Sequence, residues 1–205
     1  MSKLDEVAAA LERRGFETKV CASGAEAADV VAREMEGVES VGFGGSMTTA
    51  ALGLHERAAA LGKTVLRHGD KSLTPQQRED VMRAELTCDL FLLSANALTA
   101  DGVIVNIDGN GNRVAASIFG PKRVIYVVGR NKIVDGGVEA AIARIKRESC
   151  PPNCRRLGKQ TPCAATGECA DCSSPDRICN VTTIFDRRPR RTPTRVVLVD
   201  EDLGF

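Results

Sequence analysis

The sequence predicts an α/β fold, a Rossmann-like and mostly parallel sheet flanked by helices, and three observations carry that expectation. Short apolar runs alternate with amphipathic helical stretches up to Cys150. Aromatic side chains are scarce, with no tryptophan, one tyrosine and six phenylalanines, so the core is built from Val, Ile, Leu and Ala, as in a buried parallel sheet under alanine-rich helices. One apolar run, at 40–43, ends in glycines and passes straight into a helical stretch. At 205 residues the chain has room for one well-buried domain and a short appendage.

Taken in order, Leu4, Val7, Ala8 and Leu11 share one helical face and predict a helix over 3–14 that stops near Gly15. A strand over 18–21, a helix over 25–35 and the strand 40–43 follow. The spacing then predicts one helix over 47–61, capped by Ser46 or Thr48, and a strand over 64–67. Thr74-Pro75-Gln76-Gln77 is a capping box with proline at the first helical position, so a helix runs over 75–86. Compact apolar strands are expected at 90–93 and 103–107, and Asn110-Gly111 reads as a hairpin turn leading into 113–115. Residues 123–128 form the strongest buried strand and 136–148 a helix. Residues 1–149 and 195–205, the latter holding a closing strand at 195–199, therefore make one α/β unit. Within it, 150–180 is an irregular cysteine-rich segment and 181–194 a basic linker.

Lysine plus arginine number 28 against 27 aspartate plus glutamate, a formal charge of +1, so no basic footprint for nucleic acid or anionic lipid exists. No run of about 18 apolar residues and no leader sequence occurs, which sets the expectation of a cytoplasmic protein without a membrane role. In a reducing compartment, clustered thiols are more often metal ligands than disulfides.

Six of the eight cysteines lie at 150, 154, 163, 169, 172 and 179. Cys163, Cys169, Cys172 and Cys179 form a C-x5-C-x2-C-x6-C array turned by Pro162, Gly167 and Pro175, which suits four thiolates around one centre. A single C-x2-C with unequal spacers favours a 4Fe–4S iron–sulfur cluster, with zinc as the alternative and Arg155, Arg156 and Arg177 offsetting charge. Cys150 and Cys154 are alternate ligands, a redox pair or buried bystanders, and the whole segment also reads as a staple. Cys21 and Cys88 read as small buried apolar side chains.

The loop Gly42-Phe43-Gly44-Gly45-Ser46-Met47-Thr48 reads as an anion cradle for phosphate or carboxylate, with Gly44, Gly45, Ser46 and Thr48 contacting the ligand. It is neither a dinucleotide fingerprint nor a Walker A loop. Asn96, Asp101, Asn106 and Asp108 follow buried strands, so Asn96 and Asp101 are candidates for the same crevice; short polar residues are equally what turns are made of. Asp101 and His55 are the candidate proton carriers, with His68 a comparable one. No Ser-His-Asp set is evident.

Three segments together, VGFGGSMTTAALGL, ANALTADGVIVNIDGNGNRVAASIFGPKRVIYVVGRNKIV and PPNCRRLGKQTPCAATGECADCSSPDRICN, resemble the LUD (lactate-utilisation) domain family in its short cysteine-bearing form. The resemblance covers nearly the whole chain. It implies a sugar-phosphate isomerase/CoA-transferase-like fold with the active crevice at the carboxyl edge of the sheet, lined by Gly44-Gly45-Ser46 and by the segment from Asn96 to Asn106. It also implies iron–sulfur oxidoreductase subunits as partners in 2-hydroxy-acid oxidation. Leu93-Ser94-Ala95-Asn96 lacks the glutamate nucleophile of CoA-transferases.

Three functions follow as expectations. The first is a metal-containing protein that binds a small anionic metabolite in lactate or related redox metabolism. The second is a sugar-phosphate isomerase or hydrolase with a structural metal, and the third a non-enzymatic subunit with structural zinc. Association into a homo-oligomer is compatible with each.

Overall fold

The computed structural model describes residues 2–205. Ser2 and Asp5 cap each other reciprocally and start α1 (Lys3–Arg13), whose Leu4, Val7, Ala8 and Leu11 stripe is buried. The chain continues through β1 (Glu17–Cys21), α2 (Gly24–Glu36), β2 (Ser40–Phe43), α3 (Met47–Ala51), α4 (Leu54–Ala60), β3 (Thr64–Leu66) and α5 (Pro75–Ala84). Next come β4 (Leu90–Leu93), β5 (Ala97–Thr99), β6 (Ile104–Asp108), α6 (Asn112–Ile118), β7 (Arg123–Gly129) and β8 (Ile133–Val134). The last elements are α7 (Val138–Arg144), α8 (Cys150–Arg156), α9 (Pro162–Thr166), β9 (Val181–Phe185) and β10 (Thr194–Val199). No helix among the described residues is long and apolar enough to cross a membrane.

The main sheet has six parallel strands in the order β1-β10-β7-β4-β2-β3. From β2 the chain steps outward to β3, then returns to β4 on the other side of β2 and proceeds to β7. The strand order thus reverses between β2 and β4, and in open α/β sheets a crevice forms at the carboxyl ends of the strands flanking such a reversal.

Period-two alternation sends the strand side chains to two faces. Val41, Phe43, Leu90, Leu92, Ile125, Val127, Val197 and Val199 pack against α2 and α4. Phe91, Leu93, Val124, Tyr126, Val196 and Leu198 pack against α1 and against Leu98, Ile104 and Phe185 of a second sheet. That second sheet, ordered β8-β5-β6-β9, buries its other face, with Ala97, Val105 and Ile107, under Ala141, Ile145 and Cys150.

Five sequence expectations are corrected. The helix over 47–61 is two helices, because Gly53 takes a left-handed φ of 62° between α3 and α4. Asn110-Gly111 opens no hairpin: Asp108 accepts from the N–H groups of Asn110 and Gly111, Gly111 adopts φ 86°, and the chain enters α6. The strand β5 falls in a stretch read as polar loop. The segment 150–180 contains α8 and α9, and α9 has proline in its first turn, where the missing N–H costs nothing. Upstream, Pro151 and Pro152 deprive the preceding carbonyls of donors, and residues Ile145–Ser149 widen into a π-helix. Finally, the first residues of the expected linker form β9, paired antiparallel with β6 from Ile104–Phe185 to Asp108–Val181.

Gly120, at φ 129°, lies against the Leu86 carbonyl so closely that a Cβ would overlap that backbone oxygen. Gly120→Ala combines a disfavoured dihedral with a backbone clash and is expected to destabilise the fold by about 3 kcal/mol or more, seen as a lowered urea midpoint.

Candidate functional site

At the end of β7 a short 3-10 turn, Arg130–Lys132, folds the chain back over the carboxyl edge of the sheet. The turn is clamped from both sides. Arg130 binds Asp200 and Asp202, while the Asn131 side chain accepts from Leu203 N at 3.0 Å and donates to the Gly204 carbonyl. This delivers Lys132 to the carboxyl edge of the sheet, where it is 4% exposed. Its Nζ donates to Thr48 Oγ1 at 2.9 Å and to Ser94 Oγ at 2.8 Å, the first from the first turn of α3, the second just after β4. Among the described residues no carboxylate forms a salt bridge with it. Burial drives its pKa down to about 7, and the positive fields of Arg144 and Arg113 push the same way. Residues after β10 close over the amine: a Cβ on Gly204 would stand 3.4 Å from Nζ, and Thr48 Oγ1 donates to the Leu203 carbonyl.

Two arginines hold the walls. Arg113, from α6, donates to Asp108, Asn106 and Asn96 side chains and to the Ser94 and Ile107 carbonyls, a net in which every neighbour is an acceptor. Arg144, 4% exposed at the end of α7, donates to the Asn131 carbonyl, the Asn96 carbonyl and Ser149 Oγ. It joins the Lys132 turn to the residue preceding Cys150.

A second titratable pair stands on the other side of the glycine loop. His68, just after β3, places Nδ1 2.8 and 3.0 Å from the two carboxylate oxygens of Glu85, which is 1% exposed. The backbone N–H of His68 donates to the same carboxylate.

The residues singled out from sequence are distributed as follows. Ser46 caps α3 by accepting from Thr49 N, and Thr48 carries the Lys132 contact. Because α3 spans only Met47–Ala51, the charge at this edge comes from Lys132 and not from a long helix dipole. Gly44 leaves room for the Arg113 side chain, and Gly45 for the His68 ring. The Asn96 side chain braces Ile107 N and Arg113. Asp101 is held by Arg14 at 2.5 Å and by Thr99, beside the end of α1, and its pKa is lowered chiefly by the Thr99 hydrogen bond and then by Arg14. His55 is buried with its ring 4.2 Å from that of Phe43, and burial with the Arg67 charge keeps it neutral by lowering its pKa. Lys132, Ser94, Glu85, Arg113 and Arg144 were not singled out. The available signal was Lys132 lying three residues beyond the longest buried strand of the chain.

In the cysteine segment, Cys150, Cys154 and Cys163 are buried while Cys169, Cys172 and Cys179 are partly exposed. The Cys163 thiol donates to Cys154 Sγ at 3.7 Å, so the structure pairs one thiol of the expected array with one of the upstream two. Burial, then the fields of Cys179, Cys169, Cys154 and Cys163, push the Cys150 thiol up to about 12. Arg177 donates to the Cys172 and Cys179 carbonyls. Among the described residues no three His, Cys, Asp or Glu side chains are gathered tightly enough to ligate one ion.

The family model described as "LUD domain" matches residues 4–199, nearly the whole chain. The chain belongs to the LUD domain family. This LUD chain is also similar to a solved structure, the crystal structure of a DUF162 family protein from Deinococcus radiodurans, with a TM-score of 0.57 and 17% identity over 97% of this chain and 99% of that one. At that identity the likeness shows a common fold. No curated protein matches the LUD chain.

Proposed function

We propose that this LUD-family protein binds a small anionic metabolite, a carboxylate or phosphate, at the carboxyl edge of the sheet and serves lactate or related 2-hydroxy-acid oxidation, with a thiolate-held metal in the 150–180 segment. Lys132 carries the reading. A desolvated amine held by two hydroxyls and lying in the positive fields of two arginines, with no carboxylate counter-ion among the described residues, is costly to keep charged, and an anion restores what burial removed. Family membership supports the lactate-related context.

The metal reading rests on six thiols within one segment, four of them near enough to act on the Cys150 titration. A 4Fe–4S cluster held by Cys163, Cys169, Cys172 and Cys179, with Cys150 and Cys154 as alternates, would pass electrons to iron–sulfur oxidoreductase subunits. One observation favours zinc instead: the 3.7 Å Cys154–Cys163 separation equals the spacing of about 3.8 Å between two sulfurs on a tetrahedral ion with bonds of about 2.3 Å. Anaerobic purification followed by iron, sulfide and zinc analysis separates these. About four irons and four sulfides per chain support the cluster, one zinc supports the ion, and neither metal overturns both. For the anion, a rise in melting temperature with L-lactate, pyruvate or phosphate is expected, and no response to any of them counts against the reading.

A further inference from the structure

The glycine loop has charged neighbours on both sides, and the proposal above uses only Lys132. We propose that His68 is the proton acceptor of the site, oriented by Glu85, and that its Nε2 takes the hydroxyl proton of an anionic 2-hydroxy acid lying over the loop. The identity of the ligand rests on the anion reading of Lys132; the imidazole's role rests on its own geometry.

Three features fix that geometry. The Glu85 carboxylate is 1% exposed, and its side-chain partners are the Nδ1 and backbone N–H of His68. An acceptor-only group in that position holds the neutral ring with its proton on Nδ1, which leaves a lone pair on Nε2. Second, Nε2 faces the loop: a Cβ built on Gly45 would stand 3.3 Å from it, so the glycine is what lets ring and backbone approach. Third, the His68 side chain keeps 20% of its surface open. Thr48, three residues beyond Gly45, binds Lys132, and the loop therefore spans from base to cation.

In the step assigned to it, the ligand O–H bond breaks, its electron pair stays on the ligand oxygen, and the proton passes to Nε2. The resulting imidazolium is held by the Glu85 carboxylate through Nδ1–H, which is how a buried carboxylate orients and stabilises a catalytic histidine. Glu85 itself is a positioning residue.

With only two histidines in the chain, the rings are assignable by comparison with His68→Gln in nitrogen-15 NMR of the full-length protein. At pH 8 the expected spectrum shows His68 protonated on Nδ1 and bare on Nε2, and Glu85→Met, which removes the acceptor, abolishes that preference. Acylation of His68 by diethyl pyrocarbonate, read by mass spectrometry, is expected to slow about tenfold under saturating L-lactate, a factor worth about 1.4 kcal/mol. A bare Nε2 without protection by L-lactate, pyruvate or phosphate overturns the anion reading and leaves the imidazole assignment standing. A protonated Nε2, or a tautomer unmoved by Glu85→Met, overturns the assignment.

Discussion

Lys132→Met is expected to make the ligand-free protein more stable at pH 7 while weakening anion binding by about 100-fold, the loss typical of removing one member of a buried charge-assisted contact. The unfolded chain keeps this lysine protonated to about pH 10.4, whereas the folded chain does so only below about 7. Between those values the unfolded state binds more protons, so this group makes stability rise with pH. At and below pH 7 the full penalty applies, about 4–5 kcal/mol from the size of the shift. Methionine fills similar volume without a charge, and the hydroxyls left behind have other acceptors, Thr48 the Leu203 carbonyl and Ser94 the Ala95 carbonyl. A net gain of about 2–4 kcal/mol at pH 7 is expected after the two hydrogen bonds are subtracted, shrinking toward zero by about pH 10. Urea unfolding of both proteins across that range measures it. A mutant less stable at pH 7, or a difference that does not change with pH, would contradict the burial of an unpaired amine.

Arg113→Ala is expected to act in the opposite direction, with a loss of about 3–5 kcal/mol. The guanidinium satisfies Asp108, whose side chain is 7% exposed, together with two asparagine oxygens and two carbonyls. Removing it leaves an uncompensated buried carboxylate and four acceptors short of donors, and opens space beside Gly44. Arg113→Lys recovers only part of the loss, because an ammonium presents three donors and not a planar fork. Thermal unfolding checks the order: wild type above Arg113→Lys, and Arg113→Ala lowest.

The parallel sheet was legible because doubly buried strands are uninterrupted apolar runs. Leu90–Leu93 and Arg123–Gly129 announce themselves, and the Thr74–Gln77 capping box marks the start of α5 to the residue. Of the second sheet only β6 was legible, since β8 has two residues, β5 three, and β9 exposes Val181, Thr182 and Ile184; the partners of β8 and β9 are remote in sequence. The glycine loop and Thr48 were found from sequence, but the amine, imidazole and carboxylate around them were not assembled. Lys132, His68 and Glu85 are brought there by strand order alone, which no local spacing encodes. His68 was noted as a candidate; the partner that gives it meaning lies 17 residues on.

Isothermal titration of wild-type and Lys132→Met protein with L-lactate, pyruvate and phosphate at pH 7.5, in buffers of different ionisation enthalpy, tests the anion site built on Lys132. Because an anion restores the proton that burial removes from the amine, net proton uptake on binding is expected, up to one per site, disappearing together with most of the affinity in Lys132→Met. Binding of equal strength in both proteins, or binding without proton uptake, would contradict it.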